Sequence, residues 1–162
     1  LFPQLMERGE KVKAWLARGN WTDVGSPTSL RMAERWLLQQ MTVTNISGNL
    51  SMKGAQILGP VMLGDSISLG TNAKVIGPVS IGSGTIIEEN ALIGPYTSIG
   101  DDVVVRGSEI EHSILLAGAS VQDLGTRMEA SLLGRNVRVS RTEGPPKTLR
   151  MLVGDSSEIE II

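Results

Sequence analysis

The feature that most constrains this chain is a beat of six residues. Stepping by six from Ile57 gives Ile57, Leu63, Leu69, Val75, Ile81, Ile87, Ile93, Ile99 and Val105, all aliphatic. Four places after each of the first eight stand Val61, Ile67, Ala73, Val79, Thr85, Ala91, Thr97 and Val103, all small or β-branched. Glycine follows the repeat residue at Gly64, Gly70, Gly82, Gly94 and Gly100. A period of six fits neither the 3.6-residue turn of an α-helix nor the alternation of a long strand. It fits a short strand, a turn and another short strand. One aliphatic per six points inward, a small residue occupies the crowded corner, and glycine is expected there to supply positive φ. Three such units close a triangular coil, and stacked coils share one core, which is a hexapeptide parallel β-helix.

The phase slips after Val105 and resumes at Leu115, Val121, Leu133 and Val139, with Ala119, Ser131 and Val137 at the small positions. Arg127 falls where an aliphatic is expected, and Met128 is expected to substitute after a local shift. The reading is a less regular fourth and fifth coil. "TEGPPK" (Thr142 to Lys147) is a loop, and "LRMLVGDSSEIEII" is expected to return as an extended segment that closes the C-terminal end. Aliphatic residues must build this core, because aromatics are only 3% of the 162 residues.

The first forty residues obey a different rule. "FPQLMER" reads as a short helix ended by Gly9. "KVKAWLA" alternates like a strand, and another short strand is expected around Trp21. Ser26 then Pro27 is a helix start, an N-cap candidate followed by proline in the first turn. The helix that follows is amphipathic, with Leu30, Ala33, Trp36 or Leu37, and Met41 along one face. It is expected either to cap the open end of the β-helix or to close a preceding domain. The chain begins at Leu1 rather than Met, and a piece of a longer protein is the expectation.

Composition excludes several classes. There are no cysteines, hence no disulfide framework and no thiolate metal site, which fits a cytoplasmic setting. Lys and Arg number 15 against 17 Asp and Glu, so no basic footprint for nucleic acid is present. No apolar run approaches the roughly 18 residues of a membrane span, and no membrane partner is expected.

"WTDVGSP" (Trp21 to Pro27) followed by an amphipathic helix resembles the close of the catalytic domain in sugar nucleotidylyltransferases. "IGPYTSIGDDVVVRGSEIEHSILLAGASV", "SLLGRNVRV" and "MLVGDSSEIEI" resemble the long form of glucose-1-phosphate thymidylyltransferase, and the likeness covers most of the chain from Trp21 onward. "LFPQLMERGEKVKAWL" leans towards mannose-1-phosphate guanylyltransferases, which share the architecture. The resemblance implies a mainly β fold, a left-handed parallel β-helix over 43–162. Before it stands a short α/β segment over 1–42, the C-terminal remnant of a Rossmann-like nucleotidyltransferase domain. It implies transfer of a nucleotidyl group from a nucleoside triphosphate to a sugar 1-phosphate, with Mg²⁺ as cofactor. One of the two metal carboxylates of that family falls on Asp23. The family's glycine-rich "GGxGTRL" phosphate loop is absent; "GSGTII", beginning at Gly82, lacks the arginine and sits in hexapeptide phase, so it reads as a repeat turn. The isolated chain is therefore expected to lack activity of its own.

Other residues are weighed against plainer roles. Asp23 before a glycine is by spacing a turn residue, and only the resemblance makes it a metal ligand. Trp21 is expected to pack beneath that site. His112, the one histidine, suits the general base of a hexapeptide acyltransferase, but Ile57 to Val105 holds no inserted loop of the kind such enzymes use, and a plain corner residue is the preferred reading. Glu88, Glu89, Asp101 and Asp102 read as solvated corner charges, and Arg127, Arg135, Arg138 and Arg141 as a solubilising surface ahead of a phosphate-binding one. Ile76, Leu92 and Leu116 face outward in excess of what a solvent surface needs. They point to self-association through the β-helix, as a trimer ahead of a dimer.

Overall fold

The computed structural model describes residues 1–141 and Ile159. The expected loop at Thr142–Lys147 and the closing segment after it lie outside the described residues. Two helices, α1 (Phe2–Glu7) and α2 (Pro27–Gln39), precede seventeen strands of two or three residues each, the first at Asn45–Ile46 and the last described at Arg138–Ser140. Every third strand pairs in parallel with the one a coil away, so the strands sort into three sheets of six, six and five. The architecture is the expected left-handed hexapeptide β-helix. It begins one strand pair before the regular beat, at Asn45–Ile46 and Leu50–Met52.

The core follows the period. From Leu63 to Val105 every repeat residue is buried, and so is every small-position residue from Val61 to Val103. Ile57 lies at the edge of the same cluster. Burying such a side chain contributes about 1.5–3 kcal/mol, and the stack repeats that gain in every coil.

The glycines work differently from expectation. Positive φ falls one residue before the small position, at Ser66, Asn72, Gly84, Asn90, Tyr96 and Asp102. Only one of these six is glycine. Gly70 and Gly100 are instead sites of close approach. A Cβ on Gly70 would lie 2.8 Å from the Glu88 carbonyl carbon, and one on Gly100 would lie 2.7 Å from the Ala117 nitrogen. The corner stacks so tightly on the next coil that no side chain fits.

The phase slip has a structural cause. The corners from Val105 to Ile110 and from Ile110 to Leu115 are each one residue short of six. At those corners Ser108 and Ser113 are buried. The Ser108 hydroxyl donates to the Arg106 carbonyl at 2.8 Å and accepts from the Leu124 amide at 3.2 Å. Ser113 does the same with the Glu111 carbonyl at 2.7 Å and the Ser131 amide at 3.0 Å. Each hydroxyl gives a corner amide of the next coil its partner and adds a bond to a carbonyl of its own corner, that of Arg106 accepting from the Asp123 amide at 2.9 Å as well. One coil later, Met128 packs on the core while Arg127 is exposed, the expected substitution.

The N-terminal segment departs from expectation in three ways. First, neither "KVKAWLA" nor the region of Trp21 forms a strand. A strand needs a hydrogen-bonding neighbour, and none of the described strands pairs with these residues; Trp15, Leu16 and Trp21 are 93%, 80% and 79% exposed. Second, α2 does not cap the end of the β-helix but lies lengthwise on its first sheet, here sheet A. The Arg31 guanidinium donates to the Ala130 carbonyl in the last coils, Glu34 meets Ser98 in the middle, and Thr44, just beyond the helix, donates to the Gly59 carbonyl near the start at 3.2 Å. Ile114 points outward from sheet A yet is 7% exposed, because α2 spans it. Third, the inner face of α2 is Leu30, Glu34, Leu38 and Met41, with Leu38 buried, while Trp36 and Leu37 face outward. The expected stripe runs through Ala33, itself half-buried, to Trp36 or Leu37, whereas the buried row continues through Glu34 to Leu38. The helix ends are as expected. Gly9 follows α1 at φ 77°, and Ser26 and Ser29 cap α2 reciprocally behind Pro27.

Candidate functional site

Asp23 lies three residues before the Ser26 cap of α2, in an irregular exposed segment. Its carboxylate curls towards the Gly25 backbone, with Oδ1 3.4 Å from where a Cβ on Gly25 would sit. Among the described residues no group of three or more His, Cys, Asp or Glu side chains gathers to hold a metal ion. Mg²⁺ requires near-octahedral oxygen coordination, with phosphate oxygens and waters beside one or two carboxylates. One carboxylate such as Asp23 does not by itself make a magnesium site. Trp21 does not pack beneath it and stays exposed.

His112 sits at the short corner before Ser113 with φ 50°. Its ring stacks on Tyr96 at 5.4 Å between centroids, and the Arg35 guanidinium lies 4.7 Å from the same Tyr96 ring. This stack of cation, phenol and imidazole fastens α2 to the corner beside sheet A. It uses His112 for packing, as a corner residue.

Beside the stack, Glu34 is the polar group that burial treats worst. Its Oε1 is shut off from solvent without a hydrogen-bond partner. Burial pushes its pKa up, more strongly than Ser98 and the Arg31 charge draw it down. No simple sequence pattern marks Glu34, because the helix stripe there reads equally well through its apolar neighbours.

The remaining sequence candidates do not converge. Arg127 sits on the five-stranded sheet, where it bonds Glu109 at 3.2 Å and Glu111 at 2.7 Å. Arg138 lies on another sheet and Arg135 at a corner. Among the acids, Asp101 accepts from the Ser83 amide at 2.7 Å and Glu88 lies 3.9 Å from Arg106. These are corner contacts between coils. "GSGTII" is a repeat turn, with Gly84 at φ 70° and Thr85 and Ile87 in the core.

Along 97% of its length the chain is 33% identical to a glucose-1-phosphate thymidylyltransferase of Streptomyces antibioticus and 34% identical to one of Streptomyces griseus. The chain is related to the C-terminal part of the glucose-1-phosphate thymidylyltransferases. It spans 43% of the length of each of those two relatives. No protein-family model matches the chain. Among solved structures, a hexapeptide transferase family protein from Anaplasma phagocytophilum aligns at 24% identity with a TM-score of 0.30, over 68% of this chain and 81% of that one. The fold itself rests on the strand registers above. Both α2 and the β-helix fall inside the segment shared with the thymidylyltransferases. No helix among the described residues is long and apolar enough to cross a membrane.

Proposed function

We propose that this chain is the C-terminal region of a cytoplasmic nucleotidyltransferase that makes a nucleotide sugar, dTDP-glucose, from dTTP and glucose 1-phosphate. The observation that carries this reading is the identity of a third over almost the whole chain to two thymidylyltransferases. In this role residues 1–42 close a nucleotidyltransferase domain, and the β-helix over 43–162 serves self-assembly and regulation. The reaction is an in-line attack of the sugar phosphate oxygen on the α-phosphorus, with pyrophosphate leaving. Mg²⁺, when bound, offsets phosphate charge in that step. Asp23 supplies one carboxylate towards the metal. Its place just ahead of the anchored helix α2 supports this role, since α2 holds that end of the segment against the β-helix.

The chain carries no phosphate-cradling loop with the "GGxGTRL" pattern, so catalysis requires a further domain. The test joins residues 1–162 to the N-terminal part of the Streptomyces antibioticus enzyme. The chimera is expected to form dTDP-glucose, and Asp23→Asn to lower the rate by about 100-fold or more, the size of effect seen when one electrostatic contact to a developing transition-state charge is removed. GTP with mannose 1-phosphate, assayed alongside, separates the guanylyltransferase alternative. Turnover by the 162-residue chain alone, or an Asp23→Asn chimera at full rate, refutes the reading. An acetyl-CoA-dependent rise in melting temperature would favour acyl transfer instead.

A further inference from the structure

The arginines on the sheets of the β-helix differ in what holds them. Arg106 bonds Asp123 at 3.1 Å and lies 3.9 Å from Glu88. Arg127 is shared between Glu109 and Glu111. Arg138, on the last described strand, enters no ion pair among the described residues. It stands instead at one end of a groove of about 350 Å³ on the second six-stranded sheet, here sheet B.

The strand register builds this groove. Val105, Val121 and Val139 stack coil on coil, the first two of them in the core, so the residues that flank them face outward. One outward row runs Val104, Ser120, Arg138 and the other Arg106, Gln122, Ser140. Arg138, Ser140, Ser120 and Gln122 line the late end of the groove, and Asp102 lines its early end beyond Val104. The Gln122 amide donates to the Ser120 Oγ at 3.1 Å. That leaves the Ser120 hydroxyl proton and the second N–H of Gln122 to donate elsewhere. Asp102 sits on its corner at φ 55° and enters no ion pair among the described residues. An ionised carboxylate can only accept. The groove thus has a cationic donor end and an anionic acceptor end. They lie two coils apart, about 10 Å along the axis at the usual strand spacing.

The geometry points to a sugar monophosphate as the ligand of this groove, with its phosphate on Arg138 and its hydroxyl groups towards Asp102. A guanidinium meets two phosphate oxygens at once, and the Ser120, Ser140 and Gln122 donors gather at the same end. Asp102 accepts from a sugar hydroxyl and opposes further negative charge, which disfavours a nucleoside triphosphate. Val104 offers an apolar surface to the C–H groups of the ring. The site goes beyond the nucleotidyl transfer proposed above and takes no part in it.

Calorimetric titration of the 162-residue chain with glucose 6-phosphate tests this. A dissociation constant on the order of 1 mM is expected, at least about tenfold below that of inorganic phosphate or of glucose. Arg138→Gln, at an exposed position that leaves the core intact, is expected to weaken binding at least about tenfold. Lys74→Gln, which removes the same charge from the five-stranded sheet, is expected to change it by less than about twofold. Asp102→Asn retains a residue that tolerates positive φ. It is expected to weaken glucose 6-phosphate and to strengthen inorganic phosphate, which reads the two ends of the groove separately. Equal affinity for glucose 6-phosphate and inorganic phosphate overturns the sugar monophosphate assignment. Equal losses in Arg138→Gln and Lys74→Gln show diffuse attraction and overturn the site. The absence of saturable binding up to about 10 mM overturns both. Turnover by the chimera is measured separately, so none of these results decides the function proposed above.

Discussion

Glu34→Leu tests how α2 is held on the β-helix. Glu34 interrupts an inner row that otherwise reads Leu30, Leu38 and Met41. Its Oε1 is buried without a partner, and burial raises its pKa above the ordinary value of 4.5 despite Ser98 and Arg31. An unpaired buried polar atom costs about 1–3 kcal/mol. The side chain is only half-buried, so solvent screening brings the expected gain from leucine down to about 1 kcal/mol. For a chain of this length that is roughly 2–4 °C in melting temperature. The sign with pH follows from the direction of the shift. A carboxyl group with a raised folded pKa stabilises the docked state in acid, and that contribution is lost as pH rises through the folded value. The advantage of the leucine variant is therefore largest at about pH 8 and shrinks as pH falls towards the unfolded value. The attraction of Arg31 for Glu34 is lost in the variant and is already contained in the net upward shift, while Arg35 and His112 are unchanged between the two proteins. Thermal melts at the two ends of the range, with hydrogen exchange of the α2 amides, measure it. A leucine variant that melts below the parent at pH 8, or a gap that does not change with pH, refutes the reasoning.

Three further outcomes are expected. Thr85→Val should lower the urea midpoint by the equivalent of about 1–3 kcal/mol, because the hydroxyl donates to the Gly100 carbonyl at 2.8 Å and accepts from the Val103 amide at 3.2 Å in the buried corner. Gly100→Ala should cost about 1–3 kcal/mol by pushing the Ala117 coil away, whereas Asn72→Gly, at φ 62°, should change stability by less than about 1 kcal/mol in the same melts. Asp65→Ala should speed exchange of the Asn49 and Ser66 amides, which donate to that carboxylate at 2.7 and 2.8 Å. These bonds hold the Asp65 carboxyl below 3.8, so the difference from the parent should persist above that value and vanish as pH falls through the folded one.

The β-helix was legible because each of its residues meets a neighbour supplied by the same chain at a fixed spacing. Ile81 lies over Leu63 and under Ile99, and the sequence states all three. The slip after Val105 was visible, but its cause was not. Serine reads as a polar turn residue, and only the coil geometry shows Ser108 and Ser113 turned inward to stand in for backbone groups. The glycines after the repeat residue were found for the wrong reason, since close approach and positive φ leave the same mark in a sequence.

The N-terminal segment shows the complementary limit. Its alternation at "KVKAWLA" is a genuine strand pattern, but alternation states only which faces differ, not what lies against them. Among the described residues nothing pairs with that stretch, and Trp15, Leu16 and Trp21 stay open to solvent. The helix after it is settled differently. Its cap is local and was read correctly from Ser26 and Pro27, while its face was decided by Tyr96, Ser98 and Ala130, roughly 60 to 100 residues away, through packing and charge that no short-range period encodes. Asp23 falls between these two regimes, three residues before a cap that the sequence predicts and at the end of a segment whose neighbours it does not name. The position of its carboxylate relative to the β-helix is therefore set by α2, and through α2 by the contacts of Arg31, Glu34 and Arg35.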